Sequence, residues 1–118
     1  MTTDVAAKAW ETCFNQLKSI RALQDDWDGA GSEPISGEIV DSVHNILSQL
    51  SKKHFDDPPD RIIASPSGSI IIEWHDRNSY IGAEIEEPYV VEWMARNAYG
   101  TIHKTTTYSR RLNDRTNS

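Results

Sequence analysis

Four side chains capable of acid–base or metal chemistry lie within one stretch of predicted strands. Glu73, His75 and Asp76 surround the end of one strand, and Glu92 belongs to a later strand. Carboxylates together with an imidazole can bind a divalent cation and activate water for hydrolysis. Their spacing matches no standard ligand set, so we assign no catalytic residue, metal or cofactor. A small metal-dependent hydrolase or nuclease using these four residues is the alternative hypothesis for this chain.

A second acidic group occupies Asp25–Gly31, where three carboxylates surround a tryptophan ahead of two glycines. An EF-hand loop needs acidic residues at its first and last positions, where this chain has glutamine and isoleucine. The stretch therefore predicts a structural turn rather than a metal site. We expect Trp27 to pack into the core, Asp28 to accept hydrogen bonds from backbone N–H groups, and Gly29 or Gly31 to adopt a positive φ.

The charge balance bounds the class of partner. The 118 residues include 12 basic and 18 acidic side chains, a net charge of −6. Binding to nucleic-acid phosphates uses clustered Lys and Arg, so a nucleic-acid partner is not expected. From Lys104 onward the sequence has four basic residues and one acidic residue, so the preceding part of the chain is strongly acidic. An acidic body suits a partner with a basic surface, and it also serves solubility.

Length and cysteine content indicate one small domain in a reducing compartment. We expect residues 1–108 to form a single domain and residues 109–118 a flexible polar tail. The single cysteine, Cys13, cannot form an intrachain disulfide. Residues 1–4 lack the basic and apolar regions of a signal peptide, and no apolar run is long enough to span a membrane. These features predict a cytoplasmic protein with no membrane association.

Two amphipathic helices precede the strands. Apolar residues recur every three or four positions over residues 4–24 and again from Gly37 to about Lys53. Ser36 is a suitable N-cap for the second helix, because its hydroxyl can accept a hydrogen bond from an unpaired N–H group. Two helices of similar length joined by a turn should pack as an antiparallel hairpin.

Alternating patterns with turn residues between them then predict strands at 61–65, 69–74, 79–86, 89–95 and 101–108. No helix separates these strands, so they should form an antiparallel meander. The fold class is therefore α+β, with a helical hairpin on one face of a three- to five-stranded sheet. We predict a four-residue loop at 75–78, which pairs Glu73 with Tyr80, and a three-residue loop at 86–88. With a two-residue loop, every side chain of the fourth strand would change face.

Strand periodicity divides the side chains into two faces. The apolar face should meet the helices and carries Ile70, Ile72, Trp74, Ile81, Ala83, Ile85, Val91, Trp93 and Ala95. The opposite face carries the candidate partner-binding residues Glu73, Tyr80, Glu84, Val90, Glu92 and Met94. A surface that mixes acids with clustered apolar groups is common on a solvated sheet, and it is also typical of a protein-binding site.

Two motifs resemble those of a widespread group of small bacterial proteins. Trp27-Asp28-Gly29-Ala30-Gly31 matches a Trp-Asp-Gly-x-Gly motif between two helices, and Ser65-Pro66-Ser67-Gly68 opens a hairpin that ends in Glu73-Trp74. The match covers roughly residues 20–95 and leaves out the basic segment that follows Lys104. The resemblance implies this order of elements and a bacterial or phage origin, but it implies no reaction.

The sequence therefore favours a non-catalytic binding or accessory factor, such as an inhibitor, immunity or anti-defence protein. Its acidic, uncovered sheet face would bind a protein with a basic surface, with carboxylates steering the encounter and apolar groups supplying contact area. Self-association through the last strand of the sheet is a third expectation, because an edge strand has unpaired backbone groups.

Overall fold

The computed structural model describes residues 2–24 and 26–108. In chain order the elements are α1 (Thr2–Arg21), α2 (Gly37–Lys53), β1 (Arg61–Ala64), β2 (Ile70–Asp76), β3 (Ser79–Glu87), β4 (Val90–Arg96) and β5 (Ile102–Tyr108). The predicted polar tail, residues 109–118, lies outside the described residues. Within the described part of the chain, neither helix combines the length and apolar character needed to cross a bilayer.

The five strands form one sheet in the order β1-β2-β3-β4-β5, and every neighbouring pair is antiparallel. Short turns join consecutive strands. In the turn between β1 and β2, the Gly68 N–H donates to the Ser65 carbonyl at 2.9 Å, and Gly68 has a φ of +96°. The predicted α+β class and the antiparallel meander are confirmed.

The two helices run in opposite directions. Arg21, at the end of α1, pairs with Asp41, near the start of α2, at 2.6 Å. Trp10, earlier in α1, donates its indole N–H to the carbonyl of Phe55, just after α2, at 2.8 Å. The start of α2 is fixed by Ser36, whose hydroxyl accepts from the Ile39 N–H at 3.1 Å. This cap satisfies a backbone donor that has no partner within the helix.

Both helices pack on one side of the sheet, α1 against β1 and α2 against β2 and β3. Within the described part of the chain, the buried apolar residues other than Ala6 form one cluster, which includes Leu17, Val43, Leu47, Ile72 and Ile85. The predicted division of the strands into faces explains this cluster, because alternate residues of β2 and β3 project towards the helices.

Cys13 lies inside this core and is 2% exposed. Its thiol donates to the carbonyl of Pro59 at 3.5 Å. Burial, with a smaller contribution from the charge of Asp60, raises the pKa of the Cys13 thiol to about 11. A protonated, enclosed thiol serves as a small core group, as its place on the apolar stripe of α1 indicates.

The turn between β2 and β3 is shorter than predicted. Residues 77 and 78 alone separate the strands, so His75 and Asp76 belong to β2 rather than to a loop. His75 pairs with Tyr80, and Glu73 pairs with Gly82 instead of Tyr80. The predicted register was wrong by two residues. A shift of two preserves the face of every side chain, so β2 and β3 have the predicted faces. Ile81, which we had expected to meet the helices, is nevertheless 42% exposed.

The turn between β3 and β4 is also shorter, with only Pro88 and Tyr89 between the strands. The predicted three-residue loop was therefore wrong. The faces of β4 do not invert, however, because the register shifts between Glu84 and Glu87. This β-bulge adds one unpaired residue to β3 and restores the parity that the short turn would have broken. Tyr89 completes the turn with a φ of +64°.

Candidate functional site

The side of the sheet opposite the helices is called the open face here. On the central strands it is defined by Ile71, Glu73, His75, Tyr80, Gly82, Glu84, Glu92 and Met94. Five of the six predicted partner-binding residues are among them. The sixth, Val90, is half-buried and pairs with Glu87 beside the β3–β4 turn, at the margin of this face.

Glu73 is the centre of a hydrogen-bonded network on the open face. The residue is only 8% exposed, although it lies on the side of the sheet opposite the helices. One carboxylate oxygen accepts from the Arg61 guanidinium and lies 3.5 Å from His75 Nε2. The other oxygen accepts from the Tyr80 hydroxyl at 2.7 Å. Glu73 therefore joins three strands, because Arg61 lies on β1 and Tyr80 on β3.

The network determines the protonation states of Glu73 and Tyr80. Burial alone would raise the pKa of Glu73, but hydrogen bonds from Tyr80, Arg61 and His75 outweigh it and leave the pKa below its ordinary value. Burial and the hydrogen bond to Glu73 raise the pKa of Tyr80 to about 12. Glu73 is therefore ionised and Tyr80 protonated at neutral pH, so this pair forms a fixed, ordered contact.

A glycine makes room for the tyrosine. The Tyr80 ring lies over Gly82 on the same strand, and a Cβ atom at Gly82 would come within 2.5 Å of the Tyr80 hydroxyl oxygen. His75 packs edge-on against the Tyr80 ring at 5.0 Å, and the Arg96 guanidinium lies 5.9 Å from the ring centre. Tyr80 is thus held flat on the sheet, with its hydroxyl directed at Glu73.

Glu84 and Glu92 face each other across β3 and β4. Glu84 accepts a hydrogen bond from the buried Ser69 hydroxyl at 2.8 Å, and Glu92 is exposed. Like charges directly opposite each other on neighbouring strands destabilise a sheet. A positively charged group placed between these two carboxylates would relieve that repulsion.

These carboxylates line a groove of about 510 Å³ on the open face. Its other open-face side chains include Ile71, Tyr80, Met94 and Lys104. The groove therefore combines apolar surface with two facing acids. Arg61 and Arg96 also lie on this face, together with Lys104 on β5, so the carboxylates form a central group with cations around it.

Sequence reasoning missed Arg61 as a member of the site. The β-turn at Ser65–Gly68 was predicted, and extending the strands on both sides of it places Arg61 opposite Glu73, as the structure does. A charge pair across that hairpin was therefore accessible from the sequence. Lys104 was assigned only to the basic end of the chain, because the register of β5 has no marker in the sequence.

The residues of the alternative hypothesis are only partly brought together. Glu73 and His75 are neighbours on the open face, whereas Asp76 is the next residue along β2 and alternates to the helix side. Glu92 belongs to β4, two strands away from Glu73. Among residues 2–24 and 26–108, no group of three or more His, Cys, Asp or Glu side chains is arranged to hold a metal ion.

The turn before α2 is ordered by its own side chains. Asp28 accepts from the Ala30 N–H at 2.9 Å, and Asp26 accepts from the Gly31 N–H at 2.6 Å. Gly29 and Gly31 have φ values of +75° and +84°. We had expected Trp27 to pack into the core, and this was wrong: Trp27 is half-buried and is not part of the core cluster. Its indole N–H instead donates to the carbonyl of Glu33, within the same loop, at 2.8 Å.

Compared with protein-family models, curated proteins and solved structures, the chain matches none of them. The resemblance carried by the Trp-Asp-Gly-x-Gly motif stays a prediction. The geometry of the open face is therefore the basis for inferring a function.

Proposed function

We propose that this chain is a non-catalytic binding protein whose open face binds a protein partner through a basic side chain. The observation that supports this most is the pair of opposed carboxylates, Glu84 and Glu92, within a groove that also has apolar walls. An inhibitor, immunity or anti-defence protein of bacterial or phage origin, acting in the cytoplasm, would work in this way.

The two carboxylates favour an arginine or lysine of the partner. Its charged group would lie between Glu84 and Glu92, and its aliphatic part would contact Met94 and Ile71. A guanidinium suits this position better than an ammonium, because its planar donors can bond two carboxylates at once. Glu73 is not available for this role, since Arg61 and Tyr80 already occupy its oxygens.

The rigid part of the surface is the Glu73–Tyr80 contact. A side chain held in one position loses little conformational entropy on binding, and buried tyrosines are frequent energetic centres of protein interfaces. Tyr80 therefore supplies a fixed aromatic surface beside the acidic pair. Arg96 and Lys104 at the border of the groove would repel a partner whose basic patch is too wide, which adds selectivity.

A direct test uses a short arginine-containing peptide as the probe and NMR chemical shifts as the readout. We expect shift changes at Glu84, Glu92 and Met94 and none on α1. The double variant Glu84→Gln/Glu92→Gln should weaken peptide binding about tenfold or more, since truncating a charged partner at an interface costs upwards of about 1.4 kcal/mol.

The matched control is Glu86→Gln/Glu87→Gln, which removes the same charge from exposed residues of β3 beside the turn. Peptide affinity should stay close to that of the original chain. Equal losses in both double variants would reduce the effect to net charge and contradict a site between Glu84 and Glu92. The same two variants can then be compared in affinity purification of a native partner.

A further inference from the structure

The last strand of the sheet, β5, has an outer edge with which no strand among residues 2–24 and 26–108 pairs. β5 pairs with β4 through all seven of its residues, without a register shift, and it is the outermost strand of the sheet. All seven residues are exposed. The opposite edge of the sheet is β1, which has only four residues. Of the two outer strands in the described part of the chain, β5 therefore presents the longer edge.

β5 lacks the features that usually prevent strand pairing. Edge strands that are protected against pairing carry proline, bulges or several charges. The strand Ile102–Tyr108 has no proline and no bulge, its only Lys, Arg, Asp or Glu is Lys104, and three of its seven residues are threonine. Threonine and isoleucine favour extended backbone. The strand is thus suited to accept another strand at its outer edge.

We propose that two copies of the chain pair through β5, antiparallel, with Thr105 on the two-fold axis, forming one continuous ten-stranded sheet. This inference does not depend on the proposed function of the open face. It leaves the groove between Glu84 and Glu92 uncovered in both copies, so the two binding faces lie side by side.

Symmetry restricts the register of such a pair. Directly opposed residues of an antiparallel pair lie on the same face of the sheet. Even-numbered residues of β5 share the open face, because Lys104 pairs with Met94 and Thr106 with Glu92. An even-numbered residue must therefore oppose an even-numbered residue of the other copy. The two-fold axis then passes through a residue position rather than between two residues.

Three positions near the middle of the strand satisfy this condition, and one fits best. An axis through Lys104 would place the two lysines directly opposite each other. An axis through Thr106 would place Ile102 opposite a position beyond the end of β5. An axis through Thr105 pairs all seven residues of both strands and sets Lys104 opposite Thr106.

The central register also matches apolar side chains. It places Ile102 opposite Tyr108 at both ends of the paired strands. These two residues are 53% and 79% exposed, and both lie on the open face. Their pairing would remove exposed apolar surface that the single chain leaves in water. The exposed side chains of β5 are therefore complementary to those of a second copy.

Cysteine cross-linking tests the register. Thr105→Cys places two thiols on the axis, at a Cα separation that an antiparallel pair and a disulfide share. We expect a disulfide-linked dimer under mild oxidation of the full chain. His103→Cys, on the same face, would oppose Thr107 of the other copy and should give little cross-linking. Equal cross-linking of both variants would overturn the proposed register.

Charge substitutions test the association itself. Thr106→Lys would oppose Lys104 of the other copy, whereas Thr106→Glu would attract it. By sedimentation equilibrium, we expect Thr106→Lys to raise the dimer dissociation constant about fivefold and Thr106→Glu to lower it, since each contact occurs twice. Within one chain Thr106 opposes Glu92, so the lysine variant should fold at least as well as the glutamate variant.

The expected changes in the dimer dissociation constant are opposite to the expected changes in thermal stability, so loss of association can be distinguished from misfolding. Thr106→Lys should unfold at a higher temperature than Thr106→Glu and yet associate more weakly. A chain that stays monomeric at millimolar concentration, or a shift of both variants in the same direction, would overturn the proposal.

Discussion

Glu73 is the residue that combines burial with charge on the open face. An 8% exposed carboxylate is tolerated there because Arg61, His75 and Tyr80 all approach it. Burying an unpaired carboxylate is costly, whereas a carboxylate with several donors is stable in its ionised form. The residue therefore stabilises the pairing of β1, β2 and β3 through side chains as well as through the backbone.

Replacing Glu73 by Gln should lower the free energy of unfolding by about 1–3 kcal/mol at neutral pH, because hydrogen bonds to a charged group are lost. The effect should depend on pH. The pKa of Glu73 is lower in the folded chain than its ordinary value of 4.5. Its contribution is therefore full above that value and is lost as the pH falls through the folded-state pKa.

Urea denaturation from neutral pH down to about pH 3 measures this difference. The stabilities of the original chain and Glu73→Gln should converge as the pH falls. Glu86→Gln changes an exposed carboxylate of the neighbouring strand and serves as the control. A difference between the original chain and Glu73→Gln that stays constant across this pH range would contradict the ionised network.

Gly82→Ala should destabilise the chain through Tyr80. Alanine within a strand normally stabilises relative to glycine by about 0.5–1 kcal/mol, because glycine loses more backbone entropy on folding. Here its Cβ would meet the Tyr80 hydroxyl at 2.5 Å and displace the ring from Glu73. In a Tyr80→Ala background that obstacle is absent, so the same substitution should become stabilising.

A double-mutant cycle measured by denaturation gives the sign change directly. If Gly82→Ala has the same effect with and without the Tyr80 side chain, the ring does not depend on the space above Gly82.

The sequence predicted which residue types share the open face but not which of them touch. Glu73 and Tyr80 were expected to pair directly, yet they lie on a diagonal and meet because the tyrosine side chain is long. The space above Gly82 that admits the ring is a property of the folded surface. Neither detail follows from the alternation of side chains along a strand.

At the level of elements, the bulge in β3 determines which side chains of β4 reach the core. Ile85 and Glu86 together oppose Val91, which is buried, while Glu86 is exposed. The two-residue turn and the bulge each shift the pairing of β3 with β4 by one residue. Together the two shifts leave every side chain on its predicted face. The sequence predicted the faces because the β2–β3 error shifted the register by two residues, and because the bulge in β3 cancels the change of parity that the shorter β3–β4 turn causes.

Deletion of Glu86 should be tolerated. Without that residue, Ile85 opposes Val91 and Glu87 opposes Val90, so both strands keep their faces and the bulge disappears. We expect a loss of stability of no more than about 1 kcal/mol, arising from a turn less suited to a regular hairpin. Deletion of Glu92 removes a residue from a regularly paired strand and should cost several times more, since Val91 and Trp93 can no longer both face the helices.

Denaturation curves of the two deletion variants test this contrast. Equal and severe destabilisation by both deletions would mean that the bulge, rather than the parity of the faces, is required for folding.

Across the whole molecule, the helices cover only part of the sheet. They contact β1, β2 and β3, whereas β5 is exposed on both sides. The apolar periodicity of the sequence predicted one helical layer, and the structure confirms it. How far that layer extends across the sheet is set by the packing of α1 against β1 and of α2 against β2 and β3, which no local pattern encodes.

Amide hydrogen exchange should be faster in the strands that the helices do not cover. In dilute solution, where single chains predominate, we expect the amides of β5 to open with a free energy at least about 2 kcal/mol below that of β3, because few apolar contacts hold β5 in place. Exchange measured by NMR resolves the strands. Equal protection of β3 and β5 in single chains would show that the sheet opens only as a unit.

Because the thiol of Cys13 is enclosed, its rate of alkylation reports how often the native structure opens. With a pKa of about 11 and 2% exposure, the native side chain should ignore alkylating reagents. The sequence contains no other cysteine, so each labelled molecule records one excursion in which α1 separates from β1. The lifetime of the native state can therefore be timed by mass spectrometry, on the natural chain and without an added dye.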